Sequence, residues 1–523
     1  MNFELLPVEW LQTELGKIAN VSSGIGFPKE FQGKNNQLIP VYKVSDISYS
    51  VLNCNGILQS ANNTVSKDEV SALKGQLFID GTTLFAKIGE AVKLNRRAFV
   101  KKSGLADNNV MGVKGFNNIN DKYIFYFLTT IDLAVHSRST TIPSIRKSDI
   151  EGLQIGLPPL AEQQEIVRQL EIMLAQVEQI KARLDAIPAI LKKFCQSVIA
   201  DAVSGKLTKE WRDSLQNDKD LDFENYIAEY RIQKYLEWEK ESLLRKGKKI
   251  PSDEILLKKF KPVLSEEITH ENLPQGWSRQ LLDGLIYISA RIGWKGLKAE
   301  EYTQEGPLFL SVHGLNYGKV VRLDQAFHIS KERYDESPEI ALKNDDILLC
   351  KDGAGIGKVG IVKRLDEPAS INSSLLLIRS GEIFVPEFLY YVFKGPYIQK
   401  LVQERLTGTA IPHLFQRDIK EFLLDIPPLD EQKLIVEKVE AYFNWVGKIE
   451  QTVQAAQNRV NLLTQSILAK AFSGELTAEW REQHQDLITG INSAESLLAK
   501  IQAEHEASKP AKKSRKSAKV PSV

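Results

Sequence analysis

The apolar positions of this chain form the same long helical stripe twice. In the first stripe, apolar residues recur from position 166 to position 198 in alternating steps of four and three residues. A second stripe, from position 435 to position 467, repeats these positions 269 residues later (435 − 166). Alternating steps of three and four place the side chains on one face of an α-helix, with the 3.5-residue period of a coiled coil. The pattern predicts two long helices with matching seams.

The simplest arrangement pairs the two helices in antiparallel, so that each buries the other's seam and the globular blocks lie at opposite ends. The residues assigned to the seam are Ile166, Leu170, Val177, Ile180, Leu184, Leu191, Ile435, Val439, Val446, Ile449, Val453 and Val460. The alternative is that each stripe packs separately on its own domain, as most amphipathic helices do. Pro188 lies inside the first stripe, and an interior proline predicts a kink or a break there.

Short motifs flank the stripes and repeat at the same offset. PPLAEQ at 158–163 returns as PPLDEQ at 427–432, and SGKLTKEWR at 204–212 returns as SGELTAEWR at 473–481. The glutamates suit the positive end of a helix, and Ser-Gly is a plausible helix stop. A repeat this long indicates a duplicated domain, since the units of a solenoid span only about 20–50 residues.

Two globular blocks precede the stripes and resemble each other far less. Each opens with Leu-Pro-x-x-Trp, at 6–10 and 273–277, and then mixes short β-branched and aromatic runs with Gly, Asn and Asp turns. Strands are predicted at 37–44, 84–87, 308–312 and 347–350, and an aromatic helix at 122–128 and at 386–393. The predicted fold class is α+β: two mixed α/β domains separated by two long antiparallel coiled-coil helices, in a pseudo-two-fold internal repeat.

These elements divide the chain into six segments. They are a first globular domain at 1–157, a helix at 158–212, a charged helical connector at 213–272, a second globular domain at 273–426, a helix at 427–483, and a C-terminal helix with a basic disordered tail at 484–523. The connector is predicted to carry an exposed helix at 226–244, and its role cannot be assigned from the sequence. The basic tail could touch DNA.

Composition excludes several classes of protein. Three cysteines far apart in sequence indicate neither a disulfide framework nor a zinc ribbon. The first residues lack the features of a signal peptide, and no apolar run approaches a membrane span of about 18 residues. A cytoplasmic setting is therefore expected. The net charge of +1 does not by itself indicate a nucleic-acid-binding protein, but phosphate contacts need only a local basic surface.

Three local similarities survive between the globular blocks. A strand ending in Lys-x-Gly occurs at 84–89 and 348–353, a polar loop before Ile-Pro at 140–143 and 409–412, and Asp-Ile at 149–150 and 418–419. Such loops suit contacts with phosphates or base edges. On spacing alone, an ordinary strand-end turn with a solvated lysine is the simpler interpretation. The candidate DNA-binding residues are Lys87, Gly89, Lys93, Arg96, Arg97, Thr140, Thr141, Arg146, Lys295, Lys351, Gly353, Lys358, Thr409, His413 and Arg417.

No catalytic constellation emerges from the sequence. The segment GIGKVG at 355–360 matches G-x-G-x-x-G, but residues 361–368 do not predict a crossover helix, and a dinucleotide site requires one directly after the glycines. A Walker A interpretation also fails, because Asp352 replaces its first glycine and Val359 its Ser/Thr. The seven histidines are scattered, with no metal-binding spacing. We therefore expect no catalytic residue, no metal site and no enzymatic activity in this chain.

The repeated frame resembles the specificity (S) subunit of type I restriction-modification systems. The resemblance rests on Pro-Pro-Leu-x-Glu-Gln followed by a long helix, twice, and on the stretches at 198–212 and 461–481. It covers nearly the whole chain and is specific in the helical frames. It is weak in the globular blocks, where that family itself diverges.

The resemblance implies a non-catalytic subunit in which each block is a target recognition domain for one half of a bipartite, asymmetric DNA site. The paired helices would set the spacer between the half-sites and dock methyltransferase subunits. The implied partners are double-stranded DNA, two modification (methyltransferase) subunits and two restriction (translocase and nuclease) subunits. S-adenosylmethionine, ATP and Mg would be bound by those partners. The alternative is a two-headed coiled-coil scaffold that binds only proteins.

Overall fold

The structure is a computed structural model that describes residues 6–137, 143–215, 220–260, 272–291, 297–406 and 413–508. The chain forms two compact units. Met1–Asp185 and Gln454–Val523 make up the first unit, and Ala186–Val453 makes up the second. Each unit therefore contains one globular block and a segment of both long helices. In the described part of the chain, no helix is both long and apolar enough to cross a membrane.

The first globular block is a mixed α/β domain. Its strands are β1 (Leu11–Glu14), β2 (Ala19–Ser23), β3 (Ile39–Tyr42), β4 (Ile57–Leu58), β5 (Thr64–Val65), β6 (Thr83–Ala86), β7 (Ala98–Val100), β8 (Leu105–Ala106), β9 (Val110–Gly115) and β10 (Gln154–Leu157). Its helices are α1 (Val44–Asn53), α2 (Lys67–Leu73), α3 (Asp121–Thr130) and α4 (Lys147–Glu151). The sheets have the orders β2-β9-β6-β7-β4 and β5-β3-β8, and antiparallel β1 and β10 join the two ends of the block.

A long helix and the connector come after the first block. The elements are α5 (Leu160–Val203), α6 (Lys209–Asp213), α7 (Asp220–Arg245) and α8 (Asp253–Leu257). Helix α5 runs without interruption through Pro188, so the predicted break is absent. Pro188 lies away from the best-buried row of the seam. The helix therefore loses one backbone donor there without losing its seam.

The second globular block repeats the plan of the first. Its strands are β11 (Ser278–Leu281), β12 (Tyr287–Ser289), β13 (Tyr302–Leu310), β14 (Phe327–Ile329), β15 (Ile347–Cys350), β16 (Val359–Ile361), β17 (Ala369–Ile371), β18 (Leu375–Arg379) and β19 (Leu423–Ile426). Its helices are α9 (Lys331–Asp335), α10 (Pro386–Lys394), α11 (Pro396–Leu406) and α12 (Gln416–Lys420). The sheet orders are β12-β18-β15-β16 and β14-β13-β17, and β11 pairs with β19 as β1 pairs with β10.

The second long helix and the C-terminal helices complete the chain. They are α13 (Leu429–Ser473), α14 (Ala478–Gln483), α15 (Gln485–Ile488) and α16 (Ala494–Ser508). The predicted strand at 308–312 ends earlier than expected, because β13 stops at Leu310 and a 3-10 helix begins at Val312. The glycine-rich turn at 355–360 leads into strand β16, in agreement with its interpretation as a turn.

The two long helices pair in antiparallel within each unit. In the first unit, Ile166 and Leu170 near the start of α5 share a core with Ile467 near the end of α13. In the second unit, Val198 near the end of α5 shares a core with Ile435 near the start of α13. The start of one helix thus meets the end of the other in both units. The predicted antiparallel coiled coil is confirmed.

The seam buries one row of side chains more completely than the other. The better-buried row recurs every seven residues and consists of Leu170, Val177, Leu184, Leu191, Val198, Val439, Val446, Val453, Val460 and Ile467, of which only Leu184 is half-buried. In the other row Ile166 and Ile435 are fully buried, Ile449 is half-buried, and Ile180 is 43 % exposed. The prediction that Ile180 is buried in the seam is therefore wrong. A pair of helices covers only part of each helix surface, so Ile180, near the middle of the second row, lies at its edge.

This difference between the rows predicts unequal costs of truncation. Val177→Ala removes two buried methyl groups from the core of the first unit, and we expect it to lower the free energy of unfolding by about 2 kcal/mol. Ile180→Ala removes more atoms from an exposed position and is expected to cost about 0.5 kcal/mol or less. Urea unfolding of the two variants measures the difference. Equal losses would contradict the assignment of the rows.

The helices that come after the two Glu-Trp-Arg segments pack on the globular blocks. Helix α7 buries Ile227 and Tyr230 in the core of the second unit, and Arg231 donates to the carbonyl oxygen of Leu281 at 2.7 Å. Helix α16 buries Leu497 and Ile501 in the core of the first unit. The prediction of an exposed connector helix is therefore wrong for the inner face of α7, because its apolar side chains cover the domain.

Candidate nucleic-acid interface

A buried glutamate from the first Pro-Pro-Leu-x-Glu-Gln motif organises the first unit. Glu162 is fully buried and accepts hydrogen bonds from Trp10 Nε1 at 2.9 Å, Thr477 Oγ1 at 2.7 Å and Arg481 Nε at 2.9 Å. Arg481 also donates to the carbonyl oxygen of Gly474 at 2.7 Å. A buried charge is tolerated when it is paired and hydrogen-bonded. We call Trp10, Glu162, Thr477 and Arg481 the first glutamate cluster.

The second unit contains the same cluster with the roles of the two repeats exchanged. Glu431 accepts from Trp277 Nε1 at 2.8 Å and Thr208 Oγ1 at 2.6 Å, and it forms an ion pair with Arg212. Glu431 is 1 % exposed. We call these four residues the second glutamate cluster. Each glutamate therefore binds the Thr and Arg of the other repeat.

The glutamine that comes after each glutamate attaches the long helix to its own block. Gln163 accepts from the backbone N–H of Asn120, which caps α3, at 3.0 Å. Gln432 likewise accepts from the backbone N–H of Val385, which caps α10, at 2.8 Å. The repeated motif thus fixes the orientation of each block on its helix. The sequence marked these residues by their repetition but did not predict their contacts.

The glycine of each Ser-Gly-x-Leu-Thr motif makes room for the proline of a Leu-Pro-x-x-Trp motif. Gly205 and Gly474 both have positive φ, at +73° and +83°. A methyl group on Gly205 would overlap Pro274, and one on Gly474 would overlap Pro7. Glycine is thus required at both positions by conformation and by space.

The first and third local similarities, together with Pro143 of the second, come together at one end of a central strand in the first block. Strand β6 lies in the middle of its sheet and leads into Lys87 and Gly89. Gly89 has φ of +83° and donates to the carbonyl oxygen of Pro143 at 2.8 Å. The backbone N–H of Arg146 then donates to the carboxylate of Asp149 at 3.1 Å and begins α4. We call Lys87, Gly89, Pro143 and Arg146 the first rim.

The second block builds the same arrangement at the end of β15. Lys351 accepts a backbone hydrogen bond from Leu414 at 3.0 Å, and Gly353 has φ of +74°. The backbone N–H of Phe415 donates to the carboxylate of Asp418 at 2.7 Å and begins α12. We call the set Lys351, Gly353, His413, Phe415 and Arg417 the second rim.

The second rim borders a surface depression of about 470 Å³, which Lys351, His413, Phe415, Arg417 and Lys420 help to line. The Nδ1 atom of His413 hydrogen-bonds to the carboxylate of Asp352, which also lies 2.8 Å from the ammonium group of Lys351. The Arg417 side chain is 77 % exposed. Exposed cations next to aromatic rings are typical of nucleic-acid-binding surfaces.

Two candidate residues lie elsewhere than predicted. Arg97 is only 4 % exposed and donates to the carbonyl oxygens of Leu128 and Ile131. Burial lowers the pKa of Arg97 to about 10. A side chain so enclosed cannot reach a DNA phosphate, so its assignment as a DNA contact is wrong. Lys358 is exposed but lines a different depression, with Lys319.

The remaining candidates divide into described and undescribed residues. Lys93 is exposed and pairs with Glu90 at 2.9 Å, and Arg96 is half-buried. Thr140, Thr141, Lys295 and Thr409 lie outside the described residues, as does the basic tail after residue 508. Phe415 and Lys420 were missed by the sequence, although the shared offset of Asp-Ile pointed to their helix. Among the described residues, no His, Cys, Asp and Glu group could hold a metal ion.

Comparison with known proteins shows which protein family has this architecture. The family model for the type I restriction modification DNA specificity domain matches residues 7–189 and 241–456. The chain belongs to this family. Both matches begin near or before a globular block and extend into the long helix after it, so the family unit occurs twice.

Individual relatives agree with the family match. The EcoBI specificity subunit of Escherichia coli is 29 % identical over 518 residues, which cover 97 % of this chain and 94 % of the relative. The EcoKI specificity subunit of Escherichia coli strain K12 is 32 % identical over 385 residues, which cover 73 % and 70 %. Both relatives are named as specificity subunits of type I restriction enzymes.

Solved structures share the fold at lower identity. The HsdS subunit from Thermoanaerobacter tengcongensis has a TM-score of 0.54 at 16 % identity, covering 90 % of this chain and 98 % of that chain. A chain from a structural study of complex assembly in the type I R-M system has a TM-score of 0.58 at 16 % identity, covering 89 % and 98 %. The predicted α+β fold with its internal repeat is confirmed.

Proposed function

We propose that this chain is the DNA-sequence-specificity subunit of a type I restriction-modification complex. Each globular block would be a target recognition domain that contacts one half of a bipartite, asymmetric DNA site. The observation that carries the proposal is that one rim is built twice on the same backbone plan but with different side chains. A common scaffold with different exposed groups suits the recognition of two different sequences, because base edges are distinguished by the groups that contact them.

The long helices have a separate part in the proposal. The paired seam sets the spacer between the two half-sites and provides the surface on which methyltransferase subunits dock. Apolar side chains exposed on each unit's part of the helices support the docking role, such as Ile180 on the first unit and Ile190 and Trp445 on the second, because a partner could bury them.

The proposed partners are those expected of a type I restriction enzyme, the class in which the relatives are named. They are two modification subunits, which would bind S-adenosylmethionine, and two restriction subunits, which would bind ATP and Mg. The chain itself would select the site and catalyse no step. Methyl transfer from labelled S-adenosylmethionine by the isolated chain would contradict this part of the proposal.

A scaffold that binds only proteins is the competing hypothesis, and salt dependence separates the two. If four cations on the rims contact phosphates, affinity for duplex DNA should fall about 100-fold between 50 and 200 mM salt, because bound cations release counterions. Fluorescence anisotropy of a labelled duplex measures this. A flat response would exclude the DNA-binding function.

The same titration identifies the contributing residues. The double variant Lys87→Gln/Arg417→Gln should reduce the slope of log affinity against log salt by about two. Arg168→Gln is the matched control, because Arg168 lies on α5, outside both rims, and pairs with Glu165 at 2.7 Å. An equal change of slope in the control would remove the rims from the interface.

A further inference from the structure

The first and second rims place different chemistry at one equivalent position. Arg146 and Phe415 are 269 residues apart (415 − 146), and each donates its backbone N–H to an aspartate three residues later. We propose that this position contacts a base in each half-site: Phe415 packs against the methyl group of a thymine, and Arg146 hydrogen-bonds to a guanine. The inference rests on the proposed function and assigns a specificity-determining residue to each domain.

The structure holds Phe415 in one place while leaving its ring accessible. The Asp418 carboxylate fixes its backbone, and the imidazole of His413 lies against the ring with a centroid distance of 4.3 Å. The guanidinium carbon of Arg417 lies 4.9 Å from the ring centroid. The side chain nevertheless remains 48 % exposed. A large apolar ring held in place and half exposed gains free energy when a partner covers it.

The charges around Phe415 indicate the kind of partner. Arg417, Lys420, Lys351 and His413 line the same depression. Lys351 is 8 % exposed and pairs with Asp352, and Lys420 pairs with Asp283 at 3.1 Å. The Arg417 side chain is 77 % exposed and supplies the accessible positive charge. An exposed cation beside an aromatic ring favours a polyanion over an apolar protein surface.

The contact geometry selects the thymine methyl group over stacking between bases. The ring of Phe415 already has His413 and Arg417 against it, so its two faces are not both free for stacking. Intercalation would require the ring to leave these neighbours. In the major groove, the C5 methyl of thymine is the apolar feature that a phenylalanine can contact from one side.

Arg146 offers the complementary chemistry in the first rim. Its side chain is exposed, and its backbone is fixed by Asp149 as that of Phe415 is fixed by Asp418. A guanidinium presents two parallel N–H donors, which match the O6 and N7 acceptors of guanine. The equivalent positions would therefore select different bases in the two half-sites.

Base analogues test the inference in the complex assembled with its modification subunits. The recognised sequence is first obtained by sequencing methylated DNA from cells that carry the system. Duplexes then carry single replacements of thymine by deoxyuridine, which lacks the methyl group, or of guanine by 7-deazaguanine, which lacks N7. Competition binding measures the affinity of each duplex for three complexes, which contain the wild-type chain, Phe415→Ala or Arg146→Ala.

We expect one thymine whose replacement weakens binding about fourfold, the effect of one buried methyl group. Phe415→Ala should lose this sensitivity, and Arg146→Ala should keep it. In the other half-site, one 7-deazaguanine should weaken binding about tenfold in the wild type and in Phe415→Ala, but not in Arg146→Ala. Each variant is thus the matched control for the other.

Several results would overturn the inference. The first is that no thymine of the recognised site is sensitive to deoxyuridine in the wild-type chain, a result that needs no variant. The second is that Phe415→Ala keeps the full sensitivity to deoxyuridine. The same holds for Arg146 if 7-deazaguanine has no effect at any guanine. If the wild-type complex shows sequence-specific binding in these cases, the proposed function stands and only the inference fails. A wild-type complex without sequence-specific binding overturns both.

Discussion

Replacing Glu162 by alanine is expected to lower the free energy of unfolding of the first unit by about 3–5 kcal/mol. The change leaves the buried guanidinium of Arg481 with only the more distant carboxylate of Glu9, at 4.0 Å. It also leaves Thr477 and Trp10 without their acceptor. Breaking a buried ion pair by removing one partner costs this much because the remaining charge stays buried and uncompensated. Thermal and urea unfolding of the variant measure the loss.

A control and a rescue separate this effect from a general sensitivity of the helix. Glu165→Ala removes the partner of an exposed arginine one turn away, and exposed pairs contribute about 0–1 kcal/mol. Glu162→Leu/Arg481→Met removes both charges and should recover much of the stability, since apolar replacement of a whole buried pair is often neutral. If Glu162→Ala costs no more than Glu165→Ala, the first glutamate cluster does not stabilise the unit.

The second large effect is expected from lengthening both long helices. Insertion of four residues after Ala182 and after Gln451, both exposed, adds about 6 Å of helix at about 1.5 Å per residue. If the paired helices set the spacer, the gap between half-sites should grow by about two base pairs, at about 3.4 Å per base pair. Sequencing of methylated sites should show unchanged half-site sequences.

The insertion has an internal control. The same four residues inserted into α5 alone leave α13 unchanged. The packing of Val177 with Val460 and that of Val198 with Ile435 then cannot both be kept. We expect this variant to lose stability and methylation. Half-sites that change in sequence while the gap stays constant would exclude the role of the helices as a spacer.

Periodicity predicted the helices and the pairing well because both depend on local spacing. The seven-residue recurrence of Leu170, Val177 and Leu191 is visible in the sequence, and these residues are buried. Periodicity could not distinguish Ile180, whose exposure depends on how far the partner helix extends around α5. The sequence left open whether Pro188 breaks the first helix, and α5 continues through it. A proline outside the best-buried row of a paired helix removes no central core contact.

Contacts between distant segments could not be predicted from the sequence. Glu162 and Arg481 are 319 residues apart, and repetition marked both motifs as important without showing that they touch. Arg97 shows the opposite error, because the sequence predicted a contact with DNA that the structure does not allow. It lies in a basic run, but a run of charges does not show which side chain turns inward, and only the position of β7 beside α3 places Arg97 under the domain surface.

The exchange of partners between the two glutamate clusters has a consequence for synthesis on the ribosome. When Glu431 is made, Thr208 and Arg212 already exist, so the second unit has every partner it needs by the time residue 453 emerges. Glu162 must wait for Arg481, 319 residues later. At about 5–20 residues per second this delay lasts tens of seconds. The middle of the nascent chain can therefore complete its fold before the beginning does.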